Sequence, residues 1–135
     1  MNLKTSATII LSAAALLLSA NSAFAWGIGN SATGVQIGAL QYGHIQQNGF
    51  FNRASSFQFG VLQYSDTHQN GAFNEADTVQ VGILQAASTE QNGLGNDSSI
   101  GQLGALQSAE VTQNGVGNSA SISQVGVGQS MTINQ

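Results

Sequence analysis

The chain has no cysteine, which removes disulfides and zinc-thiolate sites from consideration. Proline is absent too, and charged side chains are only 6 % of the total. Disordered chains combine low hydrophobicity with high net charge; here charge is scarce and apolar residues reach 41 %, so an ordered, polar architecture is expected. At 135 residues there is room for one domain. Long apolar runs are also missing, since Ile9 to Leu18 covers only about half of the ~20 residues that a membrane span needs.

That run fits a secretory signal peptide over residues 1–25, with Lys4 before it and Ala23-Phe24-Ala25 after it as a small-x-small cleavage site. Cleavage after Ala25 leaves Trp26 to Gln135, which divides into five units of twenty-two with nothing over: 26–47, 48–69, 70–91, 92–113 and 114–135. Arg53 is then the only strong cation, set against Asp66, Glu75, Asp77, Glu90, Asp97 and Glu110, a formal charge of −5. Nucleic acid and anionic lipid are therefore not expected as partners.

What the chain does have is repetition, the signal to be weighed before any other. Laid in register, three glutamine columns recur: Gln36, Gln58, Gln80, Gln102 and Gln124; Gln41, Gln63, Gln85, Gln107 and Gln129; Gln47, Gln69, Gln91, Gln113 and Gln135. An asparagine column follows Asn30 at Asn52, Asn74, Asn96 and Asn118. Glycines recur at Gly38, Gly60, Gly82, Gly104 and Gly126, and at Gly49, Gly71, Gly93 and Gly115 after Gly27. A second symmetry lies inside the first, because Gln36, Gln47, Gln58 and their successors recur every eleven residues, each followed two positions later by Gly wherever the chain continues.

Eleven residues suit one strand of about six or seven plus a tight turn. Right-handed coiled coils also use an eleven-residue period. A helix here would carry a glycine in every half-unit, at about 1 kcal/mol each relative to Ala, and would lack any apolar stripe. Asn48-Gly49, Asn70-Gly71, Asn92-Gly93 and Asn114-Gly115 read as turn dipeptides, and the repeating glycines as turn glycines. Strands are expected.

Counting by twos places all the recurring residues on one face, along with small or β-branched ones such as Ala54, Ser56, Ile45 and Thr67. The expected fold is all-β: a β-solenoid of five strand–turn–strand coils stacked into two parallel sheets over a thin core. Each buried Gln or Asn then meets its own copy above and below, and side-chain amides form continuous ladders. The opposite face varies freely, as at His44, Asp66, Ser88, Glu110 and Thr132. One outward column stays apolar, Ile37, Phe59, Val81, Leu103 and Val125, a candidate stripe for lateral contact. Arg53 and Glu75 should sit on adjacent coils as an opposite pair, and Glu75 and Asp97 as like charges; Glu75, Asp77 and Asp97 are candidate gatekeepers against premature assembly.

Soluble solenoids end in polar capping repeats. Here the motif starts near Trp26 and fills its last column at Gln135, so both ends are expected to offer strand edges to another copy. Such head-to-tail addition does not close, and it yields a filament that is cross-β when polymerised.

The pattern Q-x-G-x-x-N-x-A-x-x-x-Q resembles the curlin repeat of bacterial curli subunits. It is matched by Gln47-Gly49-Asn52-Ala54-Gln58, by Gln69-Gly71-Asn74-Ala76-Gln80 and by Gln113-Gly115-Asn118-Ala120-Gln124, while the copy at Gln91 departs only at Ser98. The resemblance implies secretion through the periplasm and outer membrane as an unfolded chain, then polymerisation at the cell surface into functional amyloid fibres for adhesion and biofilm matrix. It implies as partners the chain itself, a second curlin-type subunit as nucleator, a curli-type secretion pore and chaperones. Where family members begin each unit with Ser, this chain has Gln41, Gln63, Gln85, Gln107 and Gln129, and the repeats follow the cleavage site without the usual non-repeat targeting segment.

An enzyme is not expected. His44 and His68 are the only histidines and lie in different columns, and Asp66 shares a face with His68 without an organised nucleophile. Two isolated histidines give no metal-ligand spacing, and the periodic glycines lack a following G-K-[ST], so neither a metal nor a cofactor is expected. The remaining alternative is a secreted monomeric β-solenoid that acts as a binding module or adhesin.

Overall fold

The computed structural model describes residues 6–11 and 20–135. Lys4 and most of the apolar run of the expected leader lie outside the described residues. Among the described residues nine strands follow in order: β1 Ser6–Leu11, β2 Ala20–Ile28, β3 Ser31–Ala39, β4 Tyr42–Phe50, β5 Arg53–Ala72, β6 Glu75–Leu94, β7 Asp97–Val116, β8 Ser119–Val127 and β9 Ser130–Asn134. Every pairing is parallel, and from β3 onward the register is residue i against i+22, as in Ala54↔Ala76 and Gln69↔Gln91. The fold is the expected β-solenoid of about five turns, with coils of about 22 residues.

Coil 1 is β3 plus β4, coils 2 to 4 are β5, β6 and β7, and coil 5 is β8 plus β9. A structural coil thus starts at Ser31, five residues after the frame that begins at Trp26. β5 to β7 each run through one corner, where the pairing of β5 with β6 and of β6 with β7 skips only the corner leucine, so one strand supplies both faces of its coil. β1 and β2 form a further layer, pairing with β3 and β4 at positions such as Ser6↔Ser31 and Ala25↔Gln47.

Alternation sets the core. In β5 the buried residues are Ala54, Ser56, Gln58, Gln63, Ser65, Thr67 and Gln69, every second position on each side of the corner. The two sheets approach so closely that Ser56 Oγ donates to Ser65 Oγ at 2.9 Å across the interior of one coil. Apolar packing is confined to two clusters. One joins Ala32, Ile45 and Ala54 at the first coils; the other joins Ala87, Ile100, Ala109, Val111, Ala120 and Ile122 further along. Between them, apart from Ala76, the core is hydroxyl and amide, a composition stable only where its polar groups are paired.

The corners are not built by the Asn-Gly dipeptides. The left-handed residues are Leu40, Leu62, Leu84 and Leu106 at one corner, with φ of 55–57°, and Phe51 and Phe73 at the other. Gly128 takes the same place at the leucine corner, and Gly29, Gly95 and Gly117 at the phenylalanine corner. The repeating glycines lie two residues earlier, inside the strands, where they serve close approach rather than turning. A Cβ on Gly60 would stand 1.8 Å from the carbonyl oxygen of Gly82, its counterpart on the next coil. A turn glycine and a close-approach glycine look the same in sequence, which is why the expectation and the structure differ.

Candidate functional site

The columns of amides form three kinds of rung. In the Gln36 and Gln47 columns the side-chain NH2 donates to its own copy one coil on and to a backbone carbonyl across the coil: Gln58 Nε2 to Gln80 Oε1 at 2.9 Å and to Tyr42 O at 3.0 Å, and Gln69 Nε2 to Gln91 Oε1 at 2.8 Å and to Arg53 O at 2.9 Å. Gln80, Gln91, Gln102 and Gln113 repeat this pattern.

The Gln41 column braces the leucine corner. Gln63 Nε2 donates to Phe59 O four residues back at 3.0 Å, to Gly82 O at 3.4 Å and to Gln85 Oε1 at 3.0 Å. The Asn30 column, eleven residues out of phase, does the same at the other corner. Asn52 Nδ2 donates to Asn48 O and to Gly71 O, while its Oδ1 accepts the Asn74 backbone N–H at 3.1 Å. Glycine and amide are therefore one device, since the bare glycine lets the next carbonyl come close enough to take the bond.

In the glutamine columns every side-chain donor to its copy points to the next coil along the stack, whereas the asparagine oxygens accept backbone N–H groups from that coil. At coil 1 this leaves acceptors: Gln41 Oε1 and Gln47 Oε1 are buried without a hydrogen-bond partner among the described residues, and the residue opposite Gln47 is Ala25. At coil 5 it leaves donors. Gln107 Nε2 reaches Leu103 O, Gly126 O and Gln129 Oε1, whereas Gln129 Nε2 reaches only Val125 O among the described residues and is exposed. Gln135 is likewise exposed, Asn118 half-buried and Gln124 still buried. For the glutamine ladders, one end of the stack lacks donors and the other lacks acceptors.

On the outer surface Phe59, Leu103 and Val125 are exposed, while Ile37 and Val81 are half-buried. A second apolar ridge runs along the leucine corner, and Leu62, Leu84 and Leu106 line a shallow groove there of about 420 Å³. The recurrence of these leucines is visible in the sequence, but their left-handed, exposed conformation is not. An exposed ladder was also missed: Asn70 Nδ2 donates to Asn92 Oδ1 at 3.0 Å, and Asn92 Nδ2 to Asn114 Oδ1 at 3.1 Å. Tyr42 and Tyr64 stack at 5.1 Å, as do Phe51 and Phe73 at 5.4 Å.

Arg53 Nε lies 3.6 Å from Glu75 Oε1 on the neighbouring coil, both side chains well exposed, and Glu75 is followed in register by Asp97. Asp77, two residues after Glu75 on β6, pairs in register with Ser55 and Ser99. His44 and His68, expected to be isolated from one another, are brought together with Asp66 by the register. Partial desolvation of the Tyr64 phenol, then the adjacent Asp66 carboxylate to which it donates, raises its pKa above 10.0.

Fold and ladders together define a repeat protein with a polar, amide-cored β-solenoid. The family model of the curlin associated repeat matches residues 108–135, the second half of β7 and the whole of coil 5, and this match supports a curlin-repeat family. No curated protein and no solved structure compared with the chain matches it.

Proposed function

We propose that this chain is a secreted structural subunit that adds head to tail to copies of itself, building an extracellular curli-like amyloid fibre for surface adhesion and biofilm matrix. The observation that carries the reading is the complementarity of the two ends of the ladder. In the shared register the open donors of Gln129 and Gln135 on one molecule meet the unpartnered acceptors of Gln41 and Gln47 on the next. A junction between molecules would then repeat the bonds that hold coil to coil, and leaving it unmade costs about 1–3 kcal/mol for each buried amide left unpaired. Addition of this type is open-ended and gives a filament.

The leader bears on the same edge. β1 and β2 lie on coil 1 where a further molecule would add, so cleavage after Ala25 uncovers the β3 and β4 edges. The match to the curlin associated repeat supports an extracellular fibre subunit, and on this reading the partners are a nucleating subunit, a secretion pore and chaperones. The role is structural rather than catalytic, and filaments associate laterally through the outward apolar columns.

The test is to incubate the chain beginning at Trp26 beside the chain beginning at Met1. The shorter chain should give thioflavin-positive fibres with spacings of about 4.7–4.8 Å and ~10 Å, and the longer one should lag. A stable soluble monomer from Trp26 onward would overturn the reading in favour of a monomeric binding module.

A further inference from the structure

The outer face carries one cluster that neither the ladder nor the fibre uses. Register sets His44 of β4 beside Asp66 of β5, and His68 follows Asp66 by two residues on the same face. The His44 and His68 rings stand edge to face with centroids 5.4 Å apart. One ligand atom from each of His44, Asp66 and His68 lies within 4.8 Å of the others. In sequence, Asp66 lies twenty-two residues after His44 and His68 two further on, so the stacking register rather than a local motif brings them together.

We propose that His44, Asp66 and His68 form a binding site for a divalent late transition ion, Zn²⁺ or Cu²⁺ in type, that clamps coil 1 to coil 2. Two imidazoles and one carboxylate suit these ions, whereas Mg²⁺ and Ca²⁺ prefer all-oxygen shells. Bonds of about 2.0–2.1 Å place tetrahedral ligand atoms about 3.3 Å apart. His68 Nε2 and Asp66 Oδ1 are already 3.1 Å apart, and a small side-chain rotation closes the remaining distances.

A second observation points the same way. Asp66 Oδ1 is buried and takes no hydrogen bond among the described residues, although His68 Nε2 is near: the two atoms are close but not aligned through a proton. The other oxygen is occupied, since Tyr64 Oη donates to Asp66 Oδ2 at 3.1 Å. Such a partner orients a ligating carboxylate from behind and leaves one lone pair for an ion. Ser22 Oγ lies 2.6 Å from His44 Nδ1, and removal of the leader takes Ser22 away from that nitrogen. The three ligands themselves all belong to coils 1 and 2, so the site does not depend on the leader. Its remaining coordination positions face solvent.

Both histidines of the chain are in the site, which makes the experiment decisive. The full chain is titrated with Cu²⁺ followed by electron paramagnetic resonance, and with Zn²⁺ followed by the two histidine ring resonances. One ion per chain, coupling to two imidazole nitrogens, and histidine signals that shift together at one stoichiometry are expected. His68→Gln and Asp66→Asn should each weaken binding at least about tenfold, while Glu110→Gln, elsewhere on the outer face, should not change it. Histidines that respond independently, or affinity retained in the His44→Gln/His68→Gln double variant, would overturn the site. Fibre formation is not part of the readout, so the outcome is separate from that of the proposed assembly.

Discussion

The amide of Gln58 donates to Gln80 Oε1 at 2.9 Å one coil away and to Tyr42 O at 3.0 Å across the core, while its own oxygen accepts from Gln36. One side chain thus ties three coils and both sheets. Gln58→Ala removes these bonds, strands the Gln80 acceptor and opens a cavity, and it should cost about 3 kcal/mol or more in unfolding free energy. Ser88→Ala, on the outer face, should change stability by under about 0.5 kcal/mol. Denaturant unfolding and fibre-growth rates of the two variants, compared side by side, check this; equal behaviour would contradict the ladder.

Gly82 tests close approach. A Cβ there would meet Gly104 O at 1.8 Å, backbone that cannot rotate away, and φ is +142°. Gly82→Ala should separate coils 3 and 4 locally and destabilise by at least about 2 kcal/mol. Hydrogen exchange should show reduced protection in β6 and β7 first. A turn glycine with free space around it would tolerate the change.

Ser98 stands where the other coils carry alanine, and its buried hydroxyl has no hydrogen-bond partner among the described residues. Removing an unsatisfied buried polar group relieves its desolvation cost, so Ser98→Ala should raise stability by about 1 kcal/mol. A destabilised variant would mean that the hydroxyl has a partner in solution.

The leucine corner separates filament stability from bundling. Leu62 and Leu84 hold φ of 57°, a conformation costing an L-residue about 1–2 kcal/mol, and both are nearly half exposed. In Leu62→Gly/Leu84→Gly, relief of that strain should roughly offset the apolar burial given up. Single filaments should then keep their stability while bundles become thinner in electron micrographs. Phe59→Ser/Val81→Ser makes the same measurement on the flat face, and unchanged widths in both variants would rule out lateral association through these columns.

Charge stacking predicts a kinetic effect. Glu75 and Asp97 pair in register as like charges, an arrangement that in-register strands disfavour. Glu75→Gln/Asp97→Asn should shorten the lag before fibre growth severalfold at low salt, with less effect at high salt where the repulsion is screened. Thioflavin kinetics at two ionic strengths provide the test.

Much of this fold is legible in the sequence because it repeats. A period of twenty-two residues with an inner period of eleven specifies coil length, and alternation specifies which side chains face in. Gln58, Ala54 and Asn52 are placed inside by the pattern alone, and Arg53 beside Glu75, because in-register stacking turns sequence distance into spatial adjacency. The sequence by itself therefore determined the coil, its polar core and the identity of its neighbours.

The tertiary structure decided what depends on conformation at a point. It moved the corners to Leu40, Phe51 and their successors and made the repeating glycines points of close approach, since composition cannot say which residue adopts a left-handed φ. It also set the direction of the amide ladder, with donors at Gln129 and Gln135 and open acceptors at Gln41 and Gln47. And it gathered His44, Asp66 and His68, because atoms meet only when strands stand side by side with their side chains on the same face.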